Sequence, residues 1–173
     1  MGAAHGEVAE RADEQPGTYV RGRHFVLART TGGMWAALAW GALSAADGLA
    51  LVAAWRATFT SDAGPSLIDV RALTAVDPTV FTHVRDMLEA RRGERARTVI
   101  KQAILANDDL GGGVVLGYLT LFPPPYDVRR FSDRAAALSW LGRAACAGEL
   151  DELAALRDDT GETPLAWRRR LER

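Results

Sequence analysis

Three things are scarce in this chain of 173 residues: cysteine, net charge and long apolar runs. Cysteine occurs once, at Cys146. That excludes an intrachain disulfide and suits a reducing compartment. Basic and acidic residues nearly cancel, 21 against 22, for a net charge of −1. So balanced a chain has no general electrostatic pull toward nucleic acid or a membrane surface. No apolar run has the length and flanks of a signal peptide, and the first residues, MGAAHGEVAERADEQPG, are small and charged. MGAAHG also lacks the Ser or Thr of a myristoylation signal at its sixth position. Histidine is sparse too. His5, His24 and His83 stand far apart, with no second ligand at zinc spacing. These absences point to a soluble cytoplasmic protein with no metal, no cofactor, no nucleic-acid partner and no stable membrane insertion.

What is present centres on LIDVRALTAVDPTVFTHVRDMLEARR, residues 67–92. Leu67, Ile68 and Val70 form the short apolar run of a strand covered on both faces. Ala72, Leu73, Ala75 and Val76 are read as carrying the chain over the sheet's edge. Asp77 then stands where a helix N-cap belongs, with Pro78 at the first helical position. The Asp side chain can accept an orphan backbone N–H, and Pro has none to leave unpaired. Val80, Val84, Met87 and Leu88 follow at helical spacing, and Gly93 is the expected stop.

Before this stretch, residues 1–17 read as a leader ending in Pro16-Gly17. Tyr19, Val20, Phe25, Val26 and Leu27 mark strand material, with Gly22 at a turn or bulge. Thr31-Gly32-Gly33 is a turn into a second strand, Met34 to Gly41, which completes a hairpin. Ser44 and Asp47 form an acidic variant of a capping box and open the first helix. After the central helix, residues 98–105 predict a strand, and a helix begins near Leu110 and ends at Pro123-Pro124-Pro125. YDVRRF is a short edge strand, and Ser132 caps a last core helix that runs to Gly142. The order ββαβαβαβα implies a mixed, mainly parallel α/β sheet with an N-terminal hairpin. Domain boundaries are expected at 1–17 for the leader, 18–143 for the core and 144–173 for a C-terminal helical extension.

Three signatures carry a resemblance: LIDVRALTAVDPTVFTHV, the hairpin and helix leading to SLIDV, and VRRFSDRAAALSWL. Together, over about residues 18–142, they resemble the STAS fold of the anti-sigma-factor antagonists, especially its divergent SpoIIAA-like branch. The resemblance implies a non-enzymatic bacterial regulatory module that works through protein–protein contact, with a kinase or transcription regulator as partner. It also implies that Thr79, two residues after Asp77, is the position where such proteins are phosphorylated. A phosphate there would meet the free N–H groups and positive end of the helix. Pro78 and Val80 depart from the family's pattern around that position. The plain alternative is an ordinary first-turn helix residue. The partner-binding surface expected on this basis comprises Asp77, Thr79, Thr82, His83 and Arg85.

A second reading is a carrier of a small apolar or lipid ligand. Its expected pocket is Gly111, Gly112, Gly113, Val115, Tyr118 and Phe122. The glycines follow Asp108-Asp109 but lack the Lys-Ser/Thr of a P-loop. Asp69 and Asp77 could pair as acids, yet neither brings a nucleophile, and no catalytic set of ionisable groups emerges. In the tail, Leu150, Leu153, Leu156, Leu165, Trp167 and Leu171 need cover. They are expected either on the chain's own core or in a homodimer through C-terminal helices. Arg168-Arg169-Arg170 reads as a solvated face.

Overall fold

Arg23 and His24 turn the chain between two short strands, β1 (Thr18–Gly22) and β2 (Phe25–Arg29), whose registers pair Tyr19 with Ala28 and Val20 with Leu27. The computed structural model describes residues 17–58, 63–158 and 165–170. The expected leader, Gly17 apart, lies outside them. β2 pairs antiparallel with β3 (Trp35–Leu43). The expected hairpin is thus a three-stranded meander, because the turn at Arg23-His24 splits its first arm in two.

β3, β4 (Gly64–Val76), β5 (Val99–Leu105) and β6 (Asp127–Phe131) then run parallel, each beside the one before. The connecting helices are α1 (Ala45–Thr58), α2 (Pro78–Ala90) with the short α3 (Arg92–Thr98), and α4 (Leu110–Leu121). Four parallel strands added in one direction by crossovers of one hand place every connecting helix on one face of the sheet. The other face has to be covered by something else. α5 (Arg134–Leu141), a 3-10 turn (Ala144–Cys146) and α6 (Ala147–Ala155) supply that cover. The final strand, β7 (Leu165–Arg170), lies antiparallel to β1 and completes the order β6-β5-β4-β3-β2-β1-β7.

Several expectations need correction. β4 is 13 residues long, so Ala72 to Val76 are strand rather than loop. Their register with β3, Gly41 to Leu73 and Leu43 to Val76, holds them in the sheet. Asp133, not Ser132, caps α5: its side chain accepts the Ala136 N–H at 2.8 Å. Gly142 closes that helix as expected, in the left-handed conformation at φ 69°. α2 stops at Ala90 with Arg91 as its cap, and Gly93 lies within α3 instead of ending the central helix.

The extension at 144–173 is only partly helical. Its first half forms α6, where Leu150 and Leu153 are buried with Leu138, Leu141 and Cys146. Each such leucine contributes on the order of 1.5–3 kcal/mol by leaving water. Those two residues cover the chain's own sheet, the first of the two places expected for them. The second half is a strand, whose backbone partners on β1 outweigh any helical preference of LAWRRR. The side chains of Leu165, Trp167 and Arg168 to Arg170, and all of Leu171, lie outside what is described.

Candidate functional site

The pleat of the sheet sorts its residues by face with a period of two. On the face covered by α1, α2 and α4 stand Ala37 and Ala39 of β3, Ile68 and Val70 of β4, and Gln102 and Ile104 of β5. Opposite them are Trp55 of α1, Val80, Val84 and Leu88 of α2, and Val115 and Leu119 of α4. The two alanines carry only a methyl each into the space between sheet and helices. The result is an apolar cavity of about 330 Å³ bordered by all these residues. Voids in a packed core seldom exceed a water molecule, whereas small-molecule sites begin near 300 Å³.

The mouth of the cavity is marked by its exposed wall residues. Leu121 is 74% exposed and Phe122 38%, followed by Pro123, Pro124 and Pro125. Glu89 and Arg92 stand exposed on the other side. Arg85, also on the wall, donates from Nε and Nη2 to Asp86 Oδ1 at 3.0 and 2.7 Å. Deeper in, Gln102 is 1% exposed, and its Nε2 has no hydrogen-bond partner. A buried amide without a partner is uncommon in a folded protein and calls for an explanation.

Of the pocket residues expected from sequence, Val115 and Phe122 do border this cavity. Gly112 and Gly113 are not among its wall residues. The glycines sit in the first turn of α4 rather than in a loop opening onto the pocket. Gly112 donates its N–H to Asp109 Oδ1 at 2.8 Å, and a Cβ there would lie 2.2 Å from the Asn107 carbonyl oxygen. Glycine is required at that position by the close approach of Asn107. The bonds from Gly112 and Asn107 hold the Asp109 carboxyl below its ordinary value. The side chain of Tyr118 and the burial of Gly111 lie outside what is described.

The second expected surface lies at the start of α2. Asp77 caps the helix, with Oδ1 accepting from Thr79 N at 2.8 Å and from the Thr79 hydroxyl at 2.6 Å. These two bonds hold its carboxyl below the ordinary 3.8, and nearby His83 lowers it further. Thr79 and Thr82 are exposed, while Asp77, His83 and Arg85 are half-buried. The five residues are therefore gathered on one end and flank of one helix. The Thr79 hydroxyl is engaged by the cap rather than pointing freely into water.

Asp69 and Asp77 do not act as paired acids, because each has its own partner. Asp69 grips Arg71 in a two-point ion pair, Nε to Oδ1 at 3.0 Å and Nη2 to Oδ2 at 2.7 Å. The bond to Asp69 raises the Arg71 guanidinium above its ordinary value. Cys146 is buried and contacts Thr30 Oγ1 at 3.5 Å. Among the described residues, no helix is long and apolar enough to cross a membrane.

Reading the sequence missed two features. One is Gln102, which a strict period-two count would flag as a polar residue sharing a face with Ile104 in VIKQAIL. The other is a network around the first helix. Asp47 Oδ2 accepts from Ser44 N and Oγ at 2.9 and 2.6 Å, and lies 3.1 Å from His24 Nδ1. The capping box is legible in sequence; its link to His24 on the turn between β1 and β2 is not.

No family model matches this chain, and no curated protein does. Among solved structures it is similar to an uncharacterised protein of the DUF3478 family from Shewanella loihica PV-4, whose crystal structure is described as having a SpoIIAA-like fold. The likeness has a TM-score of 0.51 at 16% identity, and covers 75% of this chain and 97% of the other. An identity that low speaks for architecture alone, and the strand order and helix placement given above agree with it. The chain has a SpoIIAA-like fold.

Proposed function

We propose that this protein is a non-enzymatic binding domain that takes a small apolar molecule into the cavity between its sheet and helices α2 and α4. The observation that carries this reading is the cavity itself, about 330 Å³ and walled almost wholly by aliphatic and aromatic side chains. An empty apolar space forfeits dispersion contacts and hydrophobic burial, so an apolar occupant regains both. The test is binding of N-phenyl-1-naphthylamine, a neutral probe that brightens in apolar surroundings. Wild type is expected to bind it at micromolar concentration. Filling the space with Ala39→Leu should weaken binding at least tenfold while the fold is kept. Equal binding by both proteins would overturn the reading.

A second reading is a regulatory module of STAS type that binds a partner protein through the start of α2. It is supported by the exposure of Thr79 and Thr82 beside the Asp77 cap. Phosphorylation of Thr79 would break its hydroxyl bond to Asp77 and set a dianion beside a carboxylate. The repulsion would loosen the cap and change this surface. A bait carrying Thr79→Asp is expected to lose a kinase or regulator that the wild-type bait retains. Identical partners on both baits would remove Thr79 as a switch.

A further inference from the structure

The crossovers bring unlike pieces of sequence to one end of the molecule. A helix that joins two parallel strands runs back against both, so its C-terminus lies at the end where the next strand begins. The last turns of α2 and α4, the whole of α3 and the first residues of β5 and β6 therefore share one end. The mouth of the cavity is there too, between Arg92 and the run from Leu121 to Tyr126.

This end is apolar where it meets water. Among the described residues the large apolar side chains left exposed are Leu49, Ile100, Leu121 and Phe122, and the last three stand here. Ile100 shares a face with Gln102 and Ile104 by the pleat of β5, so it continues the cavity-facing row toward the mouth. Pro123 and Pro125 are exposed beside it in the chain's uncharged stretch, Leu110 to Tyr126. The same end is basic. Charge that cancels over the whole chain does not cancel between Arg91 and Arg97, where four arginines meet one acid, Glu94. Arg92 and Arg97 are exposed. Glu89 opposes them at the mouth, and Arg85 and Asp86 offset each other. The opposite end carries Asp77, Asp108, Asp109 and Asp133 in its strand-to-helix turns.

We infer that the mouth of the cavity docks reversibly on an anionic bilayer, with Ile100, Leu121 and Phe122 entering its surface and the arginines of α3 against its headgroups. This inference rests on the cavity being a binding site, as proposed above, and adds where its occupant is exchanged. An exposed apolar patch beside cations fits a surface that is anionic outside and apolar within. An acidic protein answers the arginines alone. A bilayer answers both, and it is where an apolar ligand concentrates. The aspartates of the far end turn that end away from the same surface.

The test is flotation of the full chain with vesicles of phosphatidylcholine carrying about 30% phosphatidylglycerol. Wild type is expected to bind them at least about tenfold more strongly than pure phosphatidylcholine, and to lose most of that preference in about 0.5 M salt. Both comparisons are made on wild type and need no variant. Leu121→Ser should weaken binding about tenfold by removing an inserting side chain, and Arg92→Gln with Arg97→Gln by at least as much. Equal binding to the two kinds of vesicle, or none, would overturn the inference. Binding that polyglutamate displaces and Leu121→Ser leaves unchanged would overturn it in favour of an acidic protein. Wild type that takes up N-phenyl-1-naphthylamine in free solution yet floats with no vesicle defeats the inference alone. Failure of that dye as well defeats the binding reading with it.

Discussion

The two faces of this sheet are covered by different means, and they differ in how well they are filled. On one face α5, the 3-10 turn and α6 pack against Leu67, Ala103 and Leu105, and Ala137, Leu138, Leu141, Cys146, Leu150 and Leu153 are all buried in one cluster. On the other face the crossover helices leave two smaller clusters with the cavity bordering both. Alanines occur on both faces, so composition does not explain the contrast. Ala103, on the filled face, is 0% exposed, whereas Ala37 and Ala39 border an open space. Whether a small residue makes a gap depends on how closely the opposing helix approaches.

The largest expected effect that tests this contrast lies on the filled face. Leu153→Ala should cost about 2–5 kcal/mol of unfolding free energy, since a fully buried leucine leaves a cavity that its packed neighbours cannot close. Leu119→Ala, beside the existing cavity and half-buried, should cost clearly less. Urea denaturation of the two variants measures the difference, and equal losses would erase the distinction between the faces.

A second comparison inserts atoms instead of removing them. Ala103→Leu should destabilise by about 1–3 kcal/mol, because no room exists for the added carbons. Ala39→Leu should be neutral or stabilising, because room does exist. The same denaturation curves decide it.

A smaller effect is expected at the cap of α1. Asp47→Ala removes the acceptor of both Ser44 bonds and should cost about 0.5–2 kcal/mol. Burial works to raise the Asp47 carboxyl, but the hydrogen bonds from Ser44 and His24, with the charge of His24, bring it below its ordinary 3.8. A carboxyl lowered on folding stabilises the protein above its unfolded value and loses that contribution as pH falls through the folded value. The Asp47 contribution should therefore be full above pH 3.8 and fade below it. Acid titration of stability in wild type and Asp47→Ala should show two curves that converge only at that acid end. The smallest effect belongs to Thr79→Val on exposed α2. It forfeits the hydroxyl bond to Asp77 but keeps the backbone bond, and should move stability by no more than about 0.5 kcal/mol.

Local chemistry that needs only neighbours in sequence was legible. Asp77-Pro78 announces the start of α2, Ser44 with Asp47 the start of α1, and Gly142 the end of α5, because each works within one helical turn. The parallel order of β3 to β6 was legible too, through alternating strand and helix patterns. Two things were not. The period of MWAALAW cannot show that Ala37 and Ala39 border a cavity. LAWRRR gives no sign that its backbone groups find β1, about 145 residues earlier, because pairing over such a distance leaves no local mark.

The sequence by itself determined where α1 and α2 begin, which runs form the strands of the core, and that β3 to β6 run parallel. Those follow from caps, periodicity and the handedness of crossovers, all set within some thirty residues of chain. Only the tertiary structure decided that the tail's leucines cover the sheet's second face, that its last strand closes the antiparallel edge, and that the first face keeps a cavity with one unpaired amide on its wall. Those depend on distances between elements remote in sequence, and on what remains unfilled once each has found its place.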